Sequence, residues 1–171
     1  MTKNDILRPL APADLEMVRS WRNHPSVRDY MLTRQEITAG AHREWFNRHR
    51  DDPGRALLVF ECEGTAKGFV QFTPSLSAGV ADWGFYTAPD APKGTGRRLG
   101  RAALAEAFGR LGYQRLCGQA LGGNAASIRL HEALGFTEEG RLRRHFFDGA
   151  GWHDLVLFGL LKNEWQESQR G

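Results

Sequence analysis

The order of apolar and polar positions divides the chain into a series of short elements. Residues 6–10 read as a first strand. Pro12-Ala13-Asp14 opens a helix that runs through Trp21, and Asn23-His24-Pro25 stops it. Thr38 is placed to cap a second helix, whose face carries His42, Trp45, Phe46 and His49 at the i, i+3, i+4, i+7 spacing. Asp51-Asp52-Pro53-Gly54 is a turn. Three strand-like runs follow, 56–63, 67–73 and 80–87. Glu63-Gly64 and residues 75–79 separate them, so they read as an antiparallel meander. Beyond Thr87 the period changes. Residues 96–111 are helical, with Leu104, Ala107, Phe108 and Leu111 on one face, and 115–121 is a strand. Residues 125–134 form a helix ending at Gly135, a suitable C-cap. Residues 137–147 and 152–161 make a closing hairpin around Asp148-Gly149-Ala150-Gly151. No repeat, low-complexity tract or linker interrupts the chain, so one domain over 1–171 is expected.

The most specific stretch is Ala91-Pro92-Lys93-Gly94-Thr95-Gly96-Arg97-Arg98-Leu99-Gly100, where a helical period begins. Gly94 and Gly96 carry no Cβ, so the backbone can turn tightly and approach a ligand closely. The helix start offers unpaired N–H groups and a positive dipole end, which suit phosphate. Arg97, Arg98 and Arg101 crowd its first turns, an unfavourable placement unless an anion shares the site. The segment reads as a pyrophosphate cradle; a glycine-containing loop before a solvated basic helix is the plainer alternative. A dinucleotide site built on Gly94, Gly96 and Gly100 would have to follow the first strand of a parallel βαβ unit. Here the motif follows a meander.

Composition narrows the classes. The 171 residues carry a formal charge of +3, with a pI near 9.1. That mild excess falls short of a nucleic-acid-binding stripe and suits an anionic small substrate. Two cysteines, Cys62 and Cys117, give no disulfide framework, and neither has a partner base in an obvious motif. Residues 1–5 lack the apolar core of a signal peptide, and no run reaches membrane-spanning length. A cytoplasmic protein without membrane or nucleic-acid partners is expected.

Two motifs now carry a resemblance over nearly the whole chain. One is Lys93-Gly94-Thr95-Gly96 after a strand ending Phe85-Tyr86-Thr87. The other runs from Asn124 through Ser127, Leu130 and His131 to Gly135-Phe136. Together they are similar to the GNAT superfamily of acetyl-CoA-dependent N-acetyltransferases. The resemblance implies an α/β (α+β) fold with a central mixed, mostly antiparallel sheet of about seven strands flanked by helices. It implies acetyl-CoA as acetyl donor and no metal. Lys93, Gly94, Thr95, Gly96, Arg97 and Arg98 would hold the pyrophosphate, with Asn124 and Ser127 completing the cofactor side. Main-chain N–H groups of Phe85 and Thr87, on a splayed strand, would polarise the acetyl oxygen. Two positions depart from the pattern. Ala91 stands where Arg or Gln is common. His131 stands where a tyrosine often serves as general acid, and its imidazole would take that role.

A narrower resemblance rests on Arg22-Asn23-His24-Pro25, Met31, Gln35-Glu36-Ile37-Thr38, His42, Trp83-Gly84-Phe85-Tyr86, Gly140-Arg141-Leu142-Arg143 and Leu157-Phe158-Gly159-Leu160-Leu161. These resemble the aminosugar N-acetyltransferases of pseudaminic acid biosynthesis, which implies a UDP-linked 4-amino-4,6-dideoxy sugar as acceptor. Arg22, Met31, Glu36, His42, Trp45, Thr73, Trp83 and Gln119 would form the acceptor wall. Other readings stay open for three of them. His42 shares a face with Trp45 and Phe46, so packing fits equally. Glu36 can cap the helix it precedes. Gln119 cannot take a proton, so a water relay would serve as base. His131 and Trp152-His153-Asp154 also resemble phosphinothricin-type small-amine acetyltransferases. An acetyltransferase for a protein N-terminus, a non-catalytic acyl-CoA sensor and a homodimer are further alternatives.

Overall fold

The computed structural model describes residues 5–170, so the segment 1–5 read for targeting lies outside it except for Asp5. Seven strands form one sheet in the order β1-β2-β3-β4-β5-β7-β6. β1 (Asp5–Pro9), β2 (Ala56–Cys62), β3 (Thr65–Pro74) and β4 (Val80–Thr87) make an antiparallel block that contains the expected meander. β5 (Arg115–Leu121), β7 (Trp152–Leu161) and β6 (Thr137–Phe147) make the other block, with β6 at the edge. The blocks meet at a short parallel seam, where Val80, Ala81 and Asp82 pair with Arg115, Leu116 and Cys117. Past Asp82 and Cys117 that pairing ends, and each strand continues in register with its own block. The facing edges therefore diverge.

Helices cover both faces. A 3-10 turn (Pro12–Asp14), α1 (Leu15–Asn23), α2 (Pro25–Arg28) and α3 (Ala39–His49) precede the meander. α4 (Thr95–Phe108), α5 (Ala125–Ala133) and α6 (Lys162–Ser168) follow it. Strand alternation divides the core. On β3, Val70 and Phe72 pack with Leu99, Ala103 and Phe108 of α4, whereas Phe69 packs with Trp21 of α1 and Phe46 of α3. Phe60, Phe72, Phe108 and Phe158 are fully buried, each such side chain contributing about 1.5–3 kcal/mol. Thr38 caps α3 as expected, accepting from the Ala41 N–H at 3.2 Å.

Two differences from the sequence reading have local causes. The helix expected over 96–111 stops at Phe108, because Gly109 leaves helical geometry at φ −89°, ψ −95°, where a side chain would strike the Ala105 carbonyl oxygen at 2.5 Å. His24-Pro25 ends α1 and also starts α2: the His24 ring accepts from the Ser26 N–H, and Pro25 occupies the first helical position. No helix among the described residues is long and apolar enough to cross a membrane.

Candidate active site

The divergence of β4 and β5 opens a cleft of about 870 Å³. Gly96 at the start of α4 and Asn124, Ser127, Arg129 and Leu130 around α5 line one side. Arg22 at the end of α1, residues 30–33 after α2, and Gln71 on β3 line the other.

The first side is built largely from backbone. Gly94, at φ +90°, turns the chain into α4, and its carbonyl accepts from the N–H groups of Arg97 and Arg98, each at 3.1 Å. A Cβ on Gly96 would lie 3.4 Å from Leu130 Cδ2 and 4.0 Å from Thr87 Cγ2. Glycine thus keeps a cradle open between β4, α4 and α5. No acidic residue occupies the first turn of this 14-residue helix, and its positive end suits phosphate. These features fit the pyrophosphate arm of acetyl-CoA. Asn124 caps α5, its Oδ1 accepting from the Ser127 N–H at 3.1 Å. Lys93, Gly94 and Arg97 are exposed and, unlike Gly96, do not line the cleft. Thr95 is buried and donates its hydroxyl to the Pro92 carbonyl at 2.7 Å, so it holds the turn. Arg98 departs from its expected role. Its guanidinium pairs with buried Asp5, Nε to Oδ2 at 3.0 Å, and ties α4 to β1.

The second side is built from side chains. Nη2 of Arg22 donates to the Thr33 carbonyl at 2.6 Å, while Nη1 is buried without a partner. Burial lowers the Arg22 pKa, but an arginine stays charged. Gln71 Oε1 is likewise buried and unpartnered. Gly84 lies opposite Gln71 in the ladder, flanked at alternate positions by Asp82 and Tyr86. Tyr86 packs on Phe69 with centroids 5.3 Å apart, and burial pushes its phenol pKa up, so the hydroxyl keeps its proton at neutral pH. The loop carrying residues 30–33 is pinned at several points. Asn23 exchanges two 2.8 Å hydrogen bonds with the Ile37 backbone. Arg34 pairs with Asp148 at 3.2 Å and stands over the Phe146 ring. N–H groups of Ala150 and Gly151, with the His153 ring at 2.6 Å, hold the Asp148 carboxyl well below the usual carboxylate range.

Arg22, Met31, Trp83, Gln119, Phe85, Thr87, Asn124 and Ser127 all reach the cleft. Four expected acceptor residues do not line it. Glu36 is exposed outside it. His42 is buried, stacks on Trp45 at 5.1 Å and 14°, and has its pKa lowered by burial. Trp45 meets Phe69 edge-on at 6.1 Å. Both therefore serve the core between α1, α3 and the sheet. Thr73 accepts from Arg55 Nη1 at 3.4 Å, near the end of β3.

His131 also needs correction. It borders the cleft, but only 1% of its surface is exposed. Its Nδ1–H donates to the Ser127 carbonyl at 2.8 Å, and its Nε2 accepts from the Trp83 indole N–H at 3.2 Å. Burial lowers its pKa. The ring is neutral at physiological pH and its distal nitrogen is occupied, which is the wrong arrangement for a general acid.

Sequence reading passed over Gln71, Asp82, Tyr86 and Arg129, all of which line the cleft. Asp82 and Tyr86 flank Gly84 at strand spacing, a signal that was present but mute without the position of the seam. Arg129 lies within the second motif, five residues after Asn124.

Residues 6–137 match the acetyltransferase (GNAT) domain family. The chain is 26% identical to the SPbeta prophage-derived N-acetyltransferase YokL of Bacillus subtilis (strain 168), over 96% of this chain and 93% of that protein. It is 26% identical to acetyltransferase PseH of Campylobacter jejuni (strain 81-176), over 80% of this chain and 85% of that protein. Its fold resembles the spermidine N-acetyltransferase of Vibrio cholerae solved in complex with CoA and spermine. That likeness has a TM-score of 0.87 at 24% identity and covers 95% of this chain and 98% of the other. With a glycine cradle, a split β4–β5 seam and a family match over most of its length, the chain belongs to the acetyltransferase (GNAT) family and is an acetyl-CoA-dependent N-acetyltransferase.

Proposed function

We propose that the acceptor is the 4-amino group of a UDP-linked 4-amino-4,6-dideoxy sugar. The observation that carries this reading is the charge inventory of the cleft. Among the described lining residues the charged side chains are Arg22, Arg129 and Asp82. Arg22 is the acceptor-side guanidinium and suits a phosphate of a nucleotide diphosphate, with Asp82 the acceptor-side carboxylate and Arg129 on the cofactor side. Arg22 has a buried nitrogen still unpartnered and lines the cleft together with Tyr30 and Met31. The likeness to acetyltransferase PseH points the same way.

Acetyl-CoA supplies an activated acetyl thioester. The chain's part is to seat it against α4, aim the amine at it and stabilise charge on the acetyl oxygen. The free edge of β4, at Phe85 and Thr87, is the source of main-chain donors for that oxygen. As the C–N bond forms and the C–S bond breaks, the nitrogen loses one proton and the sulfur gains one, so none is consumed overall. A water relay would carry it through the cleft, which Gln119 and Asp82 line. Asp82 also favours a second reading, a small monocationic amine as acceptor. Steady-state kinetics at saturating acetyl-CoA decides between them. The expected kcat/KM for UDP-4-amino-4,6-dideoxy-N-acetyl-β-L-altrosamine exceeds those for spermidine, phosphinothricin and peptide N-termini by at least about 100-fold. Turnover of the small amines alone rejects the sugar.

A further inference from the structure

The β4–β5 pairing stops at Asp82 and Cys117, and the next residues are Trp83 and Gly118. At that point the Trp83 indole N–H reaches His131 Nε2 at 3.2 Å. A Cβ on Gly118 would lie 2.6 Å from His131 Nε2 and 2.8 Å from Trp83 Nε1. The hydrogen bond thus passes over the α-carbon of Gly118, and a side chain there would strike both partners. We infer that the Trp83–His131 hydrogen bond, seated over Gly118, is the wedge that holds β4 and β5 apart, and that His131 is a positioning residue for acetyl transfer.

Both rings are fixed from other directions. Trp83 stacks on Phe136 at 5.2 Å and 11°, and His131 stacks on Phe158 of β7 at 4.6 Å and 8°. The Ser127 carbonyl fixes the tautomer by taking the Nδ1–H, which leaves Nε2 an acceptor facing the indole. The wedge therefore joins β4, α5 and β7 at the apex of the opening. The neighbours of His131 are Trp83, Phe85, Phe136, Phe158, Ser127 and Gly118, and no charged side chain is among these contacts. A proton on Nε2 would set one N–H against another and open the wedge. Because β4 carries the donors for the acetyl oxygen, wedge geometry governs acetyl-CoA seating and kcat together. The inference rests on acetyl-CoA-dependent activity and not on which amine is acetylated.

The test compares His131→Gln, His131→Phe and Trp83→Phe with wild type. It uses calorimetric acetyl-CoA binding, melting temperature, and kcat from pH 6 to 9.5 with whichever amine the wild type turns over fastest. Glutamine keeps an acceptor near the Nε2 position but cannot serve as a general acid. Losing one buried hydrogen bond should cost His131→Phe and Trp83→Phe about tenfold in kcat and in acetyl-CoA affinity. His131→Gln should stay within about threefold of wild type, and wild-type kcat should show no descending limb from pH 7 to 9. Equal losses in the Gln and Phe variants overturn the inference. So does a basic limb present in wild type and absent from the variants, or a Trp83→Phe enzyme that matches wild type. Trp83→Phe keeps the question open to refutation if His131→Phe does not fold.

Discussion

The two sides of the cleft are made of different material. The cofactor side is backbone: a left-handed Gly94, a bare Gly96 and the start of α4, with Asn124 capping α5. The acceptor side is a set of side chains from distant segments, Arg22 of α1, Gln71 of β3, Asp82 of β4 and Met31 of a pinned loop. Backbone geometry at a helix end depends on a few consecutive residues, so it serves one unchanging ligand. Side chains collected from several elements can be exchanged singly, so they suit the partner that differs between relatives. The cofactor side should therefore fail abruptly when its glycines are filled, and the acceptor side should respond in smaller, ligand-specific steps.

Gly96→Val should have the largest effect. A Cβ here would make only ordinary contacts with Leu130 and Thr87, so the fold tolerates it, while occupying the cradle should lower acetyl-CoA affinity by about 10- to 100-fold, or about 1.4–2.8 kcal/mol. Calorimetry should show that loss with a melting temperature close to wild type. Unchanged affinity in a folded Gly96→Val protein would place the cofactor elsewhere. Asn124→Ala removes a helix cap worth about 1 kcal/mol. It should lower the melting temperature by about 2–4 °C, read by calorimetric scanning, with acceptor KM unchanged. Asp148→Ala frees Arg34 from the hairpin turn. It should raise acceptor KM by less than about fivefold and leave acetyl-CoA KM alone. Equal shifts in both would mean the hairpin supports the whole cleft.

The smallest effect is a pH dependence of stability. Burial lowers the pKa of His131 and of His42. Below about pH 6.5 the unfolded chain therefore takes up protons that the folded chain refuses. Stability should be full above that pH and decline as pH falls toward the depressed folded values. Melting scans at pH 7.5 and 5.5 should show the decline, reduced in His131→Gln and in His42→Gln. An acid loss undiminished in both variants would assign it to the carboxylates.

Which features were legible follows the same division. Strand limits at Val80–Thr87, Arg115–Leu121, Thr137–Phe147 and Trp152–Leu161 agree with the sequence reading, because alternation and turn residues are local signals. The Thr38 cap and the Gly94 turn were legible for the same reason. α6 was not: it leaves β7 directly at Lys162, with Glu164 accepting from the Leu161 N–H at 2.9 Å, and lacks an apolar stripe. His131 was read from its motif position as a proton donor. Its actual partner, Trp83, lies 48 residues away and meets it only where β4 leaves β5. Gln71 was missed because its place depends on facing Gly84 across the β3–β4 register. His42 and Trp45 carry cleft-like residue types, but α3 turns them onto the Phe69 core.

Most directly, the division of the cleft is tested by measuring both Michaelis constants of Arg22→Ala with acetyl-CoA and the UDP-linked aminosugar. Loss of a charged hydrogen bond of about 1.5–3 kcal/mol should raise the aminosugar KM by about 10- to 100-fold. The acetyl-CoA KM should stay within about twofold, because uniform binding is lost at one ligand alone. Equal increases in both constants, or an unchanged aminosugar KM, would contradict a cleft whose acceptor side is read by Arg22.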